Sequence, residues 1–248
     1  AVKGQCMQED PKTVCFKFED YDNEGFYLIF KDSTRLALTR EGIEKAANDF
    51  WADSGKMPPA LKAEIASHKC EFCPLGDSDE ICQALRPILP LVGILDIYLS
   101  HDEVVTVCKG GEKGLLHVAD ATMQDAFKAV SIMSLMNYCT VGRKYGKYFH
   151  GVTPFMRSKD VAIRLYLNIH WFHGHDKAEM DGVIARFKQD ITAMCKTQVK
   201  LMNIICKKDI LMNAFVVMAI IMEFFSMDMK KMVMESFENF GKRNEPGG

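Results

Sequence analysis

The sequence predicts an α+β protein that is mainly α: an N-terminal β-hairpin region with a metal knuckle, followed by an antiparallel helical bundle. The chain has 248 residues, 48% hydrophobic and 26% charged, which is enough to bury a substantial core. Apolar residues alternate with polar ones in the N-terminal part, as in strands. After Asp120 they repeat with helical spacing. We therefore divide the chain into a small α+β region with a Cys-rich knuckle, residues 1–119, and a helical bundle, residues 120–248.

The N-terminal strands are predicted from alternation with a period of two. Residues 14–18 and 26–30 show this period on either side of a turn at residues 22–25, which predicts a hairpin. Arg35–Leu38 is a candidate third strand. A second hairpin is predicted from Val104–Cys108 and Leu115–Ala119, which a glycine-rich segment joins.

Helices are predicted wherever apolar residues recur on one face. One begins near Thr39 and ends before Gly55, and a short one covers Ala60–Ser67. In the C-terminal half Thr122, with Asp125, is predicted to cap a helix that ends near Cys139. The remaining predicted helices are Ser158–Phe172, Asp176–Ile205 and, after a break at residues 207–209, a final helix that Gly241 ends.

The most specific motif is a tight group of cysteines after the short helix. His68, Cys70, Cys73 and Cys82 lie within fifteen residues. Two cysteines separated by two residues can turn both sulfurs toward one ion, and a third thiolate with an imidazole completes a tetrahedron for zinc. We expect these four residues to be the ligands, with Cys108 or Cys139 in reserve if His68 faces away.

Other chemistry is open to the same cysteines. Three thiolates and one further ligand suit an iron–sulfur cluster as well as zinc. A redox dithiol is less favoured, because thioredoxin-type chemistry places its Cys-x-x-Cys at the start of a helix, and here the predicted helix precedes the pair. The plainest alternative is three ordinary thiols in a loop.

At the cysteine motif the chain resembles a family of uncharacterised bacterial proteins classed as a domain of unknown function. The matching residues are His68, Cys70, Cys73, Pro74, Leu75 and Cys82. The resemblance continues through Thr122 to Phe172 and covers about two thirds of the chain. The family's Gly-Cys-Pro at a helix end reads Tyr138-Cys139-Thr140 here. The resemblance implies a strand region, a metal knuckle and a helical half, and it implies no activity.

The composition argues against nucleic acid and in favour of a reducing compartment. The 31 Lys and Arg residues are balanced by 33 Asp and Glu residues, so no global positive field attracts phosphates. A small group of basic and aromatic residues at 143–149 is more typical of a solvated surface. Nine cysteines, an odd number, and a start without signal-peptide features favour the cytoplasm.

Two further groups of residues could bind metal. His170, His173 and His175 lie near a predicted helix end, where histidines also interact favourably with the helix dipole. The C-terminal methionines could bind Cu(I) through their thioethers, although methionine more often fills cores or interaction surfaces. No common nucleotide-binding or hydrolase motif occurs, so the sequence names no reaction.

The final predicted helix is the expected site of association. Its apolar run, Ile210–Phe225, is too short for a membrane span of about 20 residues and includes Asn213 and Glu223. Apolar residues on all sides require cover on several sides, so we expect Phe225 on an exposed face that a second copy or a partner protein covers. The predicted function is a non-catalytic protein with a structural zinc site that acts through self-association or a partner. The alternative is a redox-active or iron–sulfur protein.

Overall fold

The computed structural model describes residues 25–52, 57–78, 80–110, 115–153, 156–174, 177–225 and 227–243. The strands are β1 (Gly25–Ile29), β2 (Arg35–Thr39), β3 (Glu103–Gly110) and β4 (Leu115–Thr122). The helices are α1 (Arg40–Ala52), α2 (Pro59–Ser67), α3 (Val92–Leu95), α4 (Met123–Tyr138), α5 (Ser158–His173), α6 (Lys177–Ile205), α7 (Ile210–Phe224) and α8 (Met229–Arg243). Short 3-10 helices cover Gln83–Leu85, Leu89–Leu91 and Gly142–Phe149.

The described strands form one antiparallel sheet with the order β2-β1-β3-β4. The predicted strand at Arg35–Leu38 and the second hairpin are both confirmed. Residues 14–18, the expected partner of β1, lie outside the described residues. Leu28, opposite Leu36 and Thr106, is fully buried, so the sheet turns one face toward the main core.

The predicted helices of the C-terminal half are confirmed except at the end. Thr122 caps α4, and its hydroxyl oxygen accepts a hydrogen bond from the Asp125 backbone N–H at 3.4 Å. The single final helix is wrong, because α7 and α8 meet at an angle of 97°. Asp228 provides the reason: its carboxylate accepts from the Lys231 N–H at 3.0 Å and so caps a new helix.

The apolar helix α7 lies inside its own chain, against α4, α5 and α6. Phe215 and Met218 are fully buried, and Phe225 is only 9% exposed. The expectation that Phe225 lies on an exposed face is therefore wrong, because the bundle itself covers it. A continuous core links residues of the sheet with residues of all these helices.

No single helix of the described segments has the length and apolar composition to cross a membrane. The bent pair of α7 and α8 satisfies that test only when the two helices are taken together.

A candidate metal centre formed by four cysteines

The predicted cysteine motif follows α2 as two consecutive turns. The Cys73 N–H donates to the Cys70 carbonyl at 2.8 Å, and the Gly76 N–H donates to the Cys73 carbonyl at 3.0 Å. Gly76 has φ +51°, a left-handed conformation that glycine adopts without steric cost. The turns therefore bring Cys70 and Cys73 into one compact segment.

Tertiary packing adds a fourth thiol to the three of the motif. The pKa of the Cys70 thiol is raised to about 12, mainly by burial; a hydrogen bond with Thr197 opposes the rise, and the thiols of Cys82, Cys139 and Cys73 contribute to it. The pKa of Cys82 is raised by burial and also by Cys139 and Cys73. These electrostatic effects place the four thiols in the same part of the molecule, without bringing them to bonding distance of a single ion. We call Cys70, Cys73, Cys82 and Cys139 the four-cysteine cluster.

Amide groups point at two sulfurs of the four-cysteine cluster. Burial raises the pKa of Cys82, and a hydrogen bond from the Ala84 backbone opposes that effect. Burial likewise raises the pKa of Cys139, against hydrogen bonds from the Gly142 and Val141 backbone. An N–H donor to sulfur favours the thiolate over the thiol. These hydrogen bonds offset only part of the effect of burial, so both residues remain thiols until a metal displaces the proton.

Helix α6 covers the cluster with residues that the sequence motif does not contain. The Gln198 side-chain Nε2 donates to Cys82 Sγ at 3.3 Å, and Gln198 is only 1% exposed. The Cys139 thiol donates to Met194 Sδ at 3.4 Å. Cys195 is fully buried, and the charge of Cys70 contributes to raising its pKa after the larger effect of burial. The only sequence signal for these residues is that they lie on the apolar face of a helix.

His68 and Cys108 stand apart from this arrangement. The Nδ1 atom of His68 lies 2.8 Å from the Glu64 carbonyl oxygen and 3.2 Å from Ser67 Oγ, at the end of α2. Only its Nε2 is thus left to bind an ion. Cys108 lies in β3, opposite Phe26 and His117, and burial raises its pKa. Of the two reserve ligands, the packing places Cys139 with the motif.

The four-cysteine cluster has suitable chemistry but is not a finished coordination shell. Across the residues that the structure describes, no three Cys, His, Asp or Glu side chains are grouped closely enough to hold an ion. Binding would require the sulfurs to turn inward and lose their protons. Four thiols form a soft donor set that fits zinc or an iron–sulfur cluster.

Among the residues that the structure describes, the other candidates do not form a second metal centre. The Tyr148 hydroxyl oxygen lies 2.6 Å from His173 Nε2, and Glu179 Oε1 lies 3.3 Å from His173 Nδ1, so both ring nitrogens are engaged. His170 packs edge-on against Tyr166, and His175 lies outside the described residues. Of the C-terminal methionines, Met222, Met229 and Met232 are buried in the core, whereas Met227 and Met234 are exposed.

Comparison with protein-family models, with curated proteins and with solved structures found no match for this chain.

Proposed function

We propose that this chain is a metal-binding protein in which the four-cysteine cluster holds one structural zinc ion. The observation that carries the proposal is that Cys139, at the end of α4, and Cys82 of the motif contact Met194 and Gln198, which lie one turn apart on α6. A tetrahedral site of four thiolates is a common structural zinc centre. In this proposal Cys139 takes the place first expected for His68.

Such a site would connect two parts of the fold. Cys70, Cys73 and Cys82 belong to a loop, whereas Cys139 ends a helix of the bundle. One ion bound to all four would join the loop to the bundle, so that the free energy of binding would stabilise the fold. No reaction is assigned to it.

An iron–sulfur cluster on the same thiols is the second candidate. Buried thiols beside the Met194 thioether favour soft metals in general and do not select zinc. Metal analysis and a visible spectrum of anaerobically purified protein separate the two, because zinc is colourless and a cluster absorbs near 400 nm, roughly. One zinc per chain supports the leading proposal, and sulfide with iron supports the second. Protein that binds neither metal when reconstituted would refute both.

The choice of the fourth ligand is tested by three variants. We expect Cys139→Ser to lose tight zinc binding and His68→Ala to keep it. Cys206→Ser is the matched control, because Cys206 is also a partly buried thiol beside a methionine, 3.9 Å from Met202 Sδ. Zinc content after dialysis is the measurement. Loss of zinc in His68→Ala with retention in Cys139→Ser would instead support the ligand set expected from the sequence, with His68 as the fourth ligand.

We further propose that the protein self-associates through α8, under reducing conditions such as those of the cytoplasm. The support is an apolar surface at the C-terminus, where Met227, Met234 and Phe237 are 57%, 55% and 66% exposed. The described cysteines are all free thiols, which suits a reducing compartment. Light scattering of the wild type and of Phe237→Glu tests the association. A monomeric wild type would refute it.

A further inference from the structure

A small cavity lies between the sheet and α4, outside the four-cysteine cluster. Its volume is about 150 Å³. Ala119 and Ala121 of β4 and Ala126 of α4 line it, so small side chains leave the space open. The cavity is also lined by Lys128, Met156 and Arg157, which bring hydrogen-bonding groups to its wall.

The unusual feature of this cavity is a buried amine. The Lys128 side chain is only 4% exposed. Its Nζ donates to the Met156 carbonyl oxygen at 2.8 Å, and the nearest carboxylate oxygen, Asp125 Oδ1, lies 4.0 Å away. A lysine ammonium has three N–H donors, and one of them is used here among the described residues. A buried cation with spare donors is costly unless an acceptor reaches it.

The surrounding charges do not neutralise this amine fully. Asp125 is 49% exposed, and its other oxygen already accepts from the Thr122 hydroxyl at 2.9 Å. Burial lowers the pKa of Lys128, and Asp125 opposes that effect only in part. Arg157, at the cavity wall, is paired with Asp160 at 2.9 Å, and exposed Asp120 is the remaining charged group of the lining.

We propose that this cavity is a binding site for a small monocarboxylate whose oxygens accept hydrogen bonds from the Lys128 ammonium. A water molecule takes about 30 Å³ of liquid, so the cavity has room for a ligand of roughly five heavy atoms. Arg157 also lies at the wall, but Asp160 already neutralises its charge, so Lys128 is the group that binds the anion. The carboxylates of Asp120 and Asp125 repel a second negative charge, which restricts the class to monoanions. This inference is independent of the four-cysteine cluster.

The test compares propionate with propionamide, which has the same size and no charge. Brief reductive methylation with formaldehyde, followed by peptide mass spectrometry, reports how far each lysine reacts. Saturating propionate should slow methylation of Lys128 by about fivefold or more, as expected when most sites are occupied. Exposed Lys62 is the internal control and should not change, and propionamide should protect neither lysine.

Direct binding provides a second measurement. Calorimetric titration with propionate should give a signal for the wild type and for Lys62→Met, and none for Lys128→Met. Equal protection by propionamide, or equal protection of Lys62, would overturn the proposal, as would unchanged propionate binding by Lys128→Met. If Lys128→Met does not fold, the methylation of the wild type decides alone.

Discussion

The loop that carries the cysteine motif and the helix α7 are stabilised in different ways. The loop, residues 68–82, has few buried apolar side chains and is held by short turns. Helix α7 buries seven residues in the core, from Ile210 to Met222, and needs no polar partner for them. The comparison shows that α7 is stabilised by the apolar area it removes from water, whereas the loop buries little apolar area of its own.

Helix α6 is where the two regions meet. Phe187 and Ile191 are fully buried in the core, and α6 packs closely against α7. One to two turns further along, Met194 and Gln198 contact sulfurs of the four-cysteine cluster. A substitution on α6 can therefore act on either region, depending on the face it alters.

The largest effect is expected inside the bundle. Phe215 is fully buried, so Phe215→Ala should lower the free energy of unfolding by about 3–5 kcal/mol through lost burial and a cavity. Urea denaturation measures it, and the loss should be the same with and without a zinc chelator. The nearby Val216→Ala, at a residue 39% exposed, should cost less than about 0.5 kcal/mol. If the stability loss in Phe215→Ala changed with the chelator, the packing of α7 and the proposed zinc site would not be energetically independent.

The second effect concerns the loop alone. In zinc at about a hundred times its dissociation constant, Cys82→Ser should remove about 2–3 kcal/mol of zinc-dependent stability. Limited proteolysis should then cut residues 57–95 faster while the helices stay protected. Cys206→Ser should leave both measurements unchanged. An unchanged proteolysis pattern in Cys82→Ser would contradict a structural role and strengthen the redox alternative.

Gln198 allows a finer test, since it contacts a sulfur without being a ligand. Its N–H bond to Cys82 favours the thiolate, so Gln198→Leu should weaken zinc binding by about tenfold. Zinc release on acidification should also begin at a higher pH, because the thiolates then take up protons more readily. Thr192→Val is the matched control, since the Thr192 hydroxyl on the same helix is buried and has no hydrogen-bond partner among the described residues. If both variants shift the release equally, the effect is one of packing.

The smallest effect is expected where the N-terminal part joins the start of α7. Partial burial raises the pKa of Asp209, but hydrogen bonds from Ser100 and Asn213 outweigh it and hold that pKa below its usual value. The Ser100 N–H and hydroxyl lie 3.2 and 2.9 Å from its carboxylate oxygens. Asp209→Asn should therefore cost about 1 kcal/mol at neutral pH.

The sign of the pH dependence follows from the lowered pKa of Asp209. Its contribution is complete above the ordinary aspartate pKa of about 3.9 and is lost as the pH falls through the lower folded value. Unfolding curves of the wild type and Asp209→Asn should therefore converge in acid. A difference that persists at the lowest pH would show that the carboxylate charge is not its cause.

Much of the fold could be predicted because its signals are local. Alternation predicted β2, β3 and β4, and helical spacing predicted α1, α4, α5 and α6. The end of the chain was not predicted correctly, since the apolar pattern continues across the bend and Asp228 alone marks the new helix. Apolar periodicity predicts which residues are buried, but it does not predict where a helix changes direction.

The residues of the candidate metal site could likewise be predicted only in part. Cys70, Cys73 and Cys82 could be identified from spacing, because residues close in sequence must also be close in space. Cys139 was predicted only as a reserve ligand and Gln198 not at all, because only the packing of α6 brings both toward the motif. Lys128 was not identified at all, because a lysine in an apolar helix is usually exposed.

The sequence by itself determined the order and type of most elements and the three cysteines of the loop, since these depend on interactions between near neighbours along the chain. Only the tertiary structure decided that Cys139 contacts α6 one turn from the contact of Cys82, that the bundle covers most of α7 and that Lys128 lies against a cavity. Those outcomes depend on which surfaces exclude water together, and apolar burial has no directional preference that a local pattern could record.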